Sequence, residues 1–366
     1  MAEMLTLRQL NRATLARQML LERREVPIAE AVRFLGGLQG QQSNDPYVAL
    51  WSRLSGFTHE ALTELIVERT LARATTMRGT LHLHTAEDLV GFRALVQDYL
   101  MGSWRSGFRG RFAGQDETAV HRAGLKLFGK KPVTIGAVGK ALHEKFPAAE
   151  PLALAMLMQM RETLVQVPPT RIWGNGSAPL LVRAADWLGP IEPQLSRTDL
   201  VRRYLGAFGP ASINDMQVWC RLTKLSAEFK ALEPELAVFE DESGRTLYDL
   251  PAAPRPDGDV PAPVRFLPFY DNVYLGYDDR RRMLRPSDAE RINMFANFKP
   301  PVLVDGTIAA GYKVMRKKGA ARLAIEPYHR LTKKQVREIE AEGEGFLRFM
   351  EEGAESYAVE VEAFAA

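Results

Sequence analysis

The amino-acid sequence predicts an α+β protein, in which three helical blocks that each end in a short hairpin precede a β-rich C-terminal domain. In each block, apolar residues first recur every three to four positions and then alternate in two short stretches separated by a turn. After residue 263 the pattern changes to five strand-like stretches and one strong helix. Helices followed by a short hairpin is the element order of a winged helix. We therefore expect about three tandem winged-helix motifs before a barrel-like end.

The first block covers residues 1–110, and capping residues, proline positions and apolar spacing define its elements. The helices expected there begin at Thr6 or Asn11, cover Ile28–Leu38, begin at Pro46 with Asn44 or Asp45 as the cap, and cover His59–Val67. The strands expected there are Leu71–Met77 and Thr80–His84, which meet at Arg78-Gly79.

The same order of elements returns in residues 111–190 and 191–255, although the blocks do not align residue by residue. Helices are expected over Glu117–Phe128, Thr134–Lys145, Leu152–Met160, Arg197–Phe208, Ser212–Leu222 and Lys224–Ala231, with strands after each set. Residues 251–263 are rich in Pro, Asp and Gly, which is typical of a linker. The final domain, residues 256–366, combines strands with one helix over Lys333–Met350.

Composition excludes several classes of protein. The chain has 366 residues, a formal net charge of +3 and one cysteine, Cys220, which rules out an internal disulfide and a cysteine-based metal site. The amphipathic N-terminus lacks the pattern of a signal peptide, and no stretch approaches the length of a membrane span. His82 and His84 alternate on a strand but lack a third ligand. We expect a cytoplasmic monomer without metal, cofactor or membrane contact.

The most unusual segment is the polar stretch from Gln39 to Asp45, which lies between two apolar helices. Extended spacing around Gly40 places the carboxamides of Gln39 and Gln41 on one side of the chain. Two interpretations remain open from the residues alone. The segment is either a turn with capping residues or a site in which two amides act together.

Motifs along nearly the whole chain resemble one bacterial family, the winged-helix DNA glycosylases of the AlkZ and YcaQ type. The segments that carry the resemblance are Gly36–Gln41, Ala49–Leu54, Met77–Leu83, Gln166–Gly174, Arg202–Ala211, Val264–Asn272 and Leu303–Gly306. The resemblance implies tandem winged helices, a β-rich C-terminal barrel and excision of N7-alkylated purines, in some members from interstrand crosslinks. The catalytic motif of the AlkZ branch is Gln-x-Gln, which Gln39 and Gln41 match.

The resemblance also suggests roles for other residues. It places His82 on the strand of the first wing, near the site, with a structural role as the alternative. It places an acidic-amide pair at Asp271-Asn272, which serves either the lesion pocket or a turn. Asn44 and Arg78 flank the glutamines and the wing, and we expect both to contact the substrate or DNA.

Basic residues suggest where double-stranded DNA binds. Arg281 lies in the run Arg280–Arg282, and Arg316, Lys317 and Lys318 form the predicted tip of a C-terminal hairpin. A basic tip can contact phosphates or enter a groove, whereas a solvated charged turn is the alternative. The function predicted from these features is a monofunctional glycosylase for alkylated purines. A non-catalytic DNA-binding protein, either a transcription regulator or a damage binder, is the competing hypothesis.

Overall fold

A computed structural model describes residues 3–129, 131–292 and 299–364 of the chain. The helices are α1 (Leu7–Arg17), α2 (Ile28–Phe34), α3 (Asp45–Trp51), α4 (His59–Val67), α5 (Ala86–Phe108), α6 (Glu117–Leu125), α7 (Ile135–Lys145), α8 (Pro151–Arg161), α9 (Ala184–Leu188), α10 (Arg197–Phe208), α11 (Ile213–Cys220), α12 (Ser226–Leu232), α13 (Asn272–Leu275), α14 (Pro286–Ala289) and α15 (Lys333–Met350). The strands are β1 (Glu3–Leu5), β2 (Leu38–Gln39), β3 (Leu71–Thr75), β4 (Leu81–Thr85), β5 (Leu164–Val167), β6 (Leu180–Arg183), β7 (Ala237–Asp241), β8 (Thr246–Asp249), β9 (Arg265–Phe266), β10 (Pro301–Val304), β11 (Thr307–Lys317), β12 (Ala320–Pro327) and β13 (Ser356–Val361).

Most of the predicted helices and strands are confirmed, but α2 is shorter than expected. It ends at Phe34 because Gly36 and Gly37 adopt φ angles of +70° and +91°, which glycine tolerates and other residues rarely do. The chain then becomes extended, and Leu38–Gln39 forms β2. The expected helix over Ile28–Leu38 was therefore wrong at its end, because Leu38 belongs to a strand.

The first sheet has five antiparallel strands in the order β2-β4-β3-β5-β6. Its centre joins two of the predicted modules, because Arg73 of β3 lies opposite Gln166 of β5. Helix α5, which the sequence did not reveal, follows β4 directly and is capped by the Thr85 hydroxyl. It packs against α8, where the indole of Trp104 donates to the carbonyl of Ala153 at 3.1 Å.

A second, three-stranded sheet unites the two ends of the helical region. Residues Glu3–Leu5 pair in parallel with β7, which pairs with β8. Helix α1 packs against α10, and a fully buried ion pair joins Arg17 to Asp249 at 2.6 and 2.8 Å. The predicted linker, residues 251–263, has no regular structure but is held on α1, since Arg12 and Arg17 donate to the carbonyls of Val260 and Pro254.

The C-terminal domain is an open sheet in the order β13-β12-β11-β10-β9 around α15. Strand β13 pairs in parallel with β12, and α15 makes the connection between them. Phe346 of α15 stacks on Phe266 with ring centroids 4.7 Å apart. Phe346 also contacts Trp51, so α3 is packed against this domain. The prediction of a mixed α+β fold is confirmed, and the sheet of the C-terminal domain, which we expected to be barrel-like, is an open half-barrel. Across the described residues, no helix has the length and apolarity that crossing a lipid bilayer demands.

Candidate active site

Gln39 lies on β2 directly opposite His82 of β4. Its side chain is only 6% exposed, and its carbonyl oxygen accepts a hydrogen bond from Nη2 of Arg78 at 2.7 Å. A guanidinium can only donate, so this contact fixes which end of the Gln39 amide is the oxygen. A carbonyl oxygen has two lone pairs, so the Gln39 oxygen can accept one further hydrogen bond.

Arg78 connects three parts of the structure. Its Nη2 also donates to Nε2 of His82 at 2.9 Å, and its Nη1 donates to the carbonyl of Trp219 at 2.5 Å. The residue has a left-handed backbone with φ of +57°. Burial lowers the pKa of Arg78 to about 10, so the guanidinium is still charged at neutral pH.

His82 is fully buried and neutral. Desolvation, reinforced by the charge of Arg78, holds the pKa of His82 well below its ordinary value of 6.5. Since Nε2 accepts from Arg78, the proton resides on Nδ1, which donates to the carbonyl of Thr80 at 3.1 Å. His82 therefore cannot act as a general acid near neutral pH, and it orients Arg78 instead.

Gln41 is exposed, in contrast to Gln39. Its carbonyl oxygen accepts from the backbone N–H of Leu81 at 2.9 Å, and the N–H of Gly40 donates to the Leu81 carbonyl at 2.8 Å. Both catalytic candidates are thus attached to the same short segment, residues 78–82. The structure brings Gln39, Gln41, Arg78 and His82 together.

Two buried charged residues, Asp45 and Arg73, form hydrogen bonds with the backbone of the loop after Gln41. Asp45 is 4% exposed, and its Oδ2 accepts from the N–H of Gln42 at 2.8 Å. Arg73 of β3 donates to the carbonyls of Gln42 and Ser43 at 3.3 and 3.1 Å. Burial raises the pKa of Asp45 to about 7. The sequence suggested Asp45 only as a helix cap and gave no indication of Arg73.

A second loop, which contains Gly174 and Asn175, forms hydrogen bonds with the first. The side-chain oxygen of Asn44 accepts from the N–H of Gly174 at 3.1 Å, and the hydroxyl of Ser43 donates to the carbonyl of Asn175 at 3.0 Å. Asn44 occupies the N-cap position of α3, but its side chain makes no capping bond. Of the two caps expected, Asn44 or Asp45, the position is therefore that of Asn44, but its side-chain oxygen accepts from the adjacent loop and not from the helix.

A family model described as AlkZ-like DNA glycosylase matches residues 32–349 of the chain. The chain belongs to this family. It is a monofunctional DNA glycosylase, which hydrolyses N-glycosyl bonds of DNA.

The glycosylase is similar in sequence and in structure to proteins of Streptomyces sahachiroi. A curated protein named "Interstrand DNA cross-link repair glycosylase" is 24% identical over 344 residues, covering 89% of this chain and 91% of that protein. The solved structure of Streptomyces sahachiroi DNA glycosylase AlkZ has a TM-score of 0.78 at 20% identity, covering 98% of this chain and 100% of that chain. The structural likeness shows the shared fold.

Asp271 of the glycosylase is buried and caps a short helix. Its carboxylate forms a buried, two-bond ion pair with Arg53 at 2.8 and 3.0 Å and accepts from the N–H of Val273 as the cap of α13. Its neighbour Asn272 donates to the carbonyl of Gly37 at 2.7 Å. Of the two roles predicted for the pair, the structure favours the turn cap, since only 4% of Asp271 is exposed.

The two basic segments differ in how freely their charges face solvent. Arg281 is paired with Asp279 at 2.6 Å, which also pairs with Arg245. The predicted β11–β12 hairpin is present, but Arg316 and Lys317 belong to β11, and the turn itself is Lys318-Gly319, with φ of +49° and +80° as in a type I′ turn. Lys317 and Lys318 are exposed there, whereas Arg316 lies 3.7 Å from a carboxylate oxygen of Glu351.

Proposed function

We propose that this glycosylase hydrolyses the N-glycosidic bond of N7-alkylated purines in double-stranded DNA, with Gln39 and Gln41 as the catalytic pair. The observation that carries the proposal is the attachment of both amides to residues 78–82 by groups that can only donate hydrogen bonds. Bulky adducts and interstrand crosslinks are included in the substrate class. The name of the curated relative, a cross-link repair glycosylase, supports that inclusion.

Two neutral amides suffice for this reaction because the substrate is already activated. Alkylation at N7 gives the purine a positive charge, so it leaves without strong acid catalysis. The enzyme must place one water near C1′ and stabilise an oxocarbenium-like sugar, and oriented carbonyl dipoles can do both. An amide cannot strongly deprotonate water, so unmodified purines are poor substrates.

The remaining residues divide into two roles. Arg78 and His82 position Gln39, since the guanidinium holds the amide oxygen and the neutral imidazole accepts from the same guanidinium. We propose that the DNA-binding face includes Asn44, Arg316, Lys317 and Lys318, and also Arg281, whose charge Asp279 partly offsets. Three winged-helix modules, with boundaries near residues 110, 190 and 255, present this face. The protein acts as a monomer at the nucleoid in the cytoplasm.

Release of free N7-methylguanine from methylated duplex DNA tests the proposal. Gln39→Ala and Gln41→Ala should each lose release, whereas the exposed neighbour Gln42→Ala is the matched control and should retain it. Unmethylated duplex should give no free base with any variant. Undiminished release by both Gln39→Ala and Gln41→Ala would contradict the proposal, and binding without release by the wild type would favour a damage-binding protein.

A further inference from the structure

The peptide groups on both sides of Gln42 are held by buried charged side chains. Its N–H, which belongs to the peptide bond with Gln41, donates to Asp45 at 2.8 Å. Its carbonyl accepts from Arg73 at 3.3 Å. The loop is wrapped so closely around the guanidinium that a Cβ added at Gly40 would lie 3.3 Å from Nε of Arg73 and 3.1 Å from the ring of Pro46. Little room is left for an alternative loop path.

We infer that Asp45 is a positioning residue of this enzyme, whose ionised carboxylate fixes the Gln41–Gln42 peptide and thereby aims the Gln41 amide at the bound nucleotide. The inference rests on the proposed catalytic role of Gln39 and Gln41. A charged acceptor binds an N–H more strongly than a neutral one. Neutralising the carboxylate therefore loosens the hydrogen bond that ties this peptide to the protein interior.

Some surrounding groups raise the pKa of Asp45 and others lower it, so its charge can change near neutral pH. Desolvation is the largest influence and raises the pKa to about 7, while the Gln42 N–H and Arg73 favour the ionised form. Asp271 opposes ionisation, although its own charge is paired with Arg53. Among the described residues, the titratable or charged side chains that interact electrostatically with Asp45 are Arg73, Asp271 and Tyr312. One step further out, Arg53 pairs with Asp271, and Tyr47 and Arg171 act on Arg73.

The pH profile of base release by wild type and Asp45→Asn tests this inference. Asparagine has the same shape and keeps an acceptor for Gln42, but it cannot ionise. Under single-turnover conditions at constant ionic strength, wild-type release should rise through one inflection between about pH 6 and 8, approaching tenfold per pH unit on the acidic side. Asp45→Asn should give a slower and flat profile. Affinity for methylated duplex should be the same in both, because the effect is on kcat.

A flat wild-type profile, or an inflection that persists in Asp45→Asn, would overturn the inference. Amide hydrogen exchange at Gln42 provides a measurement that does not need activity. After correction for the intrinsic rate, protection in the wild type should increase from pH 6 to 8, and this holds as a test even if Asp45→Asn fails to fold. Protection that is independent of pH contradicts the inference. Because this readout ignores catalysis, it separates a failure of Asp45 from a failure of the glutamine proposal.

Discussion

Nη2 of Arg78 donates to the carbonyl oxygen of Gln39 and to Nε2 of His82, at 2.7 and 2.9 Å. One nitrogen thus determines both the orientation of an amide and the tautomer of an imidazole. Because these acceptors and the Trp219 carbonyl are all neutral, the arrangement relies on the shape of the guanidinium fork as much as on its charge.

Removal of this fork should reduce catalysis without weakening DNA binding to the same degree. We expect Arg78→Met to lower the single-turnover rate of base release by about 100-fold, because Gln39 loses its orienting donor. Arg78→Lys restores charge but not two parallel donors, so it should recover only part of the rate. Rates on methylated duplex, compared with binding affinity and thermal melting, check this. Full activity in Arg78→Met would show that Gln39 needs no such support.

The raised pKa of Asp45 has a consequence for stability. Burial moves this pKa from 3.8 to about 7, so the folded protein holds a proton that the unfolded chain has released, and stability falls as pH rises across that window. The free energy of unfolding of Asp45→Asn minus that of the wild type should therefore be larger at pH 8 than at pH 5, by on the order of 3 kcal/mol. Urea denaturation at the two pH values measures this, and an unchanged difference would be evidence against the shift.

The exposed lysines of the hairpin tip should contribute to DNA affinity by neutralising phosphates. Each neutralised phosphate adds about 0.9 to the steepness with which log affinity falls against log salt concentration. Lys317→Ala with Lys318→Ala should therefore flatten the slope by up to about 2. Arg281→Ala is the comparison, because its charge is already paired with Asp279, and it should have a smaller effect. Equal slopes for wild type and the lysine variant would show that the hairpin tip does not contact the DNA.

Gly37 should be intolerant of any side chain. A Cβ there would lie 2.3 Å from Cε1 of His84, and the φ of +91° disfavours other residues. We expect Gly37→Ala to destabilise the fold by about 2 kcal/mol or more. Gly56→Ala is the matched control, since its φ is +64° but open space surrounds it, and about 1 kcal/mol is expected. Denaturant midpoints for the two variants distinguish crowding from backbone strain.

Local patterns were sufficient to predict most of the fold. Capping residues and apolar spacing placed α4, α10 and α15 at the boundaries that the structure shows. Helix α5 was not predicted because Gly91, Gly102 and Gly107 interrupt its apolar pattern. Tertiary contacts with α8 nevertheless stabilise it. A propensity argument cannot include contacts with residues that are distant in sequence.

In the candidate site, too, the sequence predicted the local features but not those that depend on contacts between distant residues. The Gln-x-Gln motif and the β3–β4 hairpin were visible in sequence because each is contiguous. The residues that hold the loop in place were not visible, since Arg73 and Asn175 lie about 30 and 130 positions away from it in the sequence. Asp45 was visible only as a potential cap, because its burial and raised pKa arise from packing against β3 and α13. Site chemistry that depends on such packing emerges only in the folded chain.

The pairing of β3 with β5 has a practical consequence for dissecting the enzyme. A fragment cut near residue 110 would carry the Gln-x-Gln motif but leave the backbone donors and acceptors of β3 without the neighbouring strand β5. Bare strand edges of this kind promote intermolecular association. Truncation is therefore a poor route to a minimal catalyst, and a workable miniature has to retain residues through β6 as one indivisible unit.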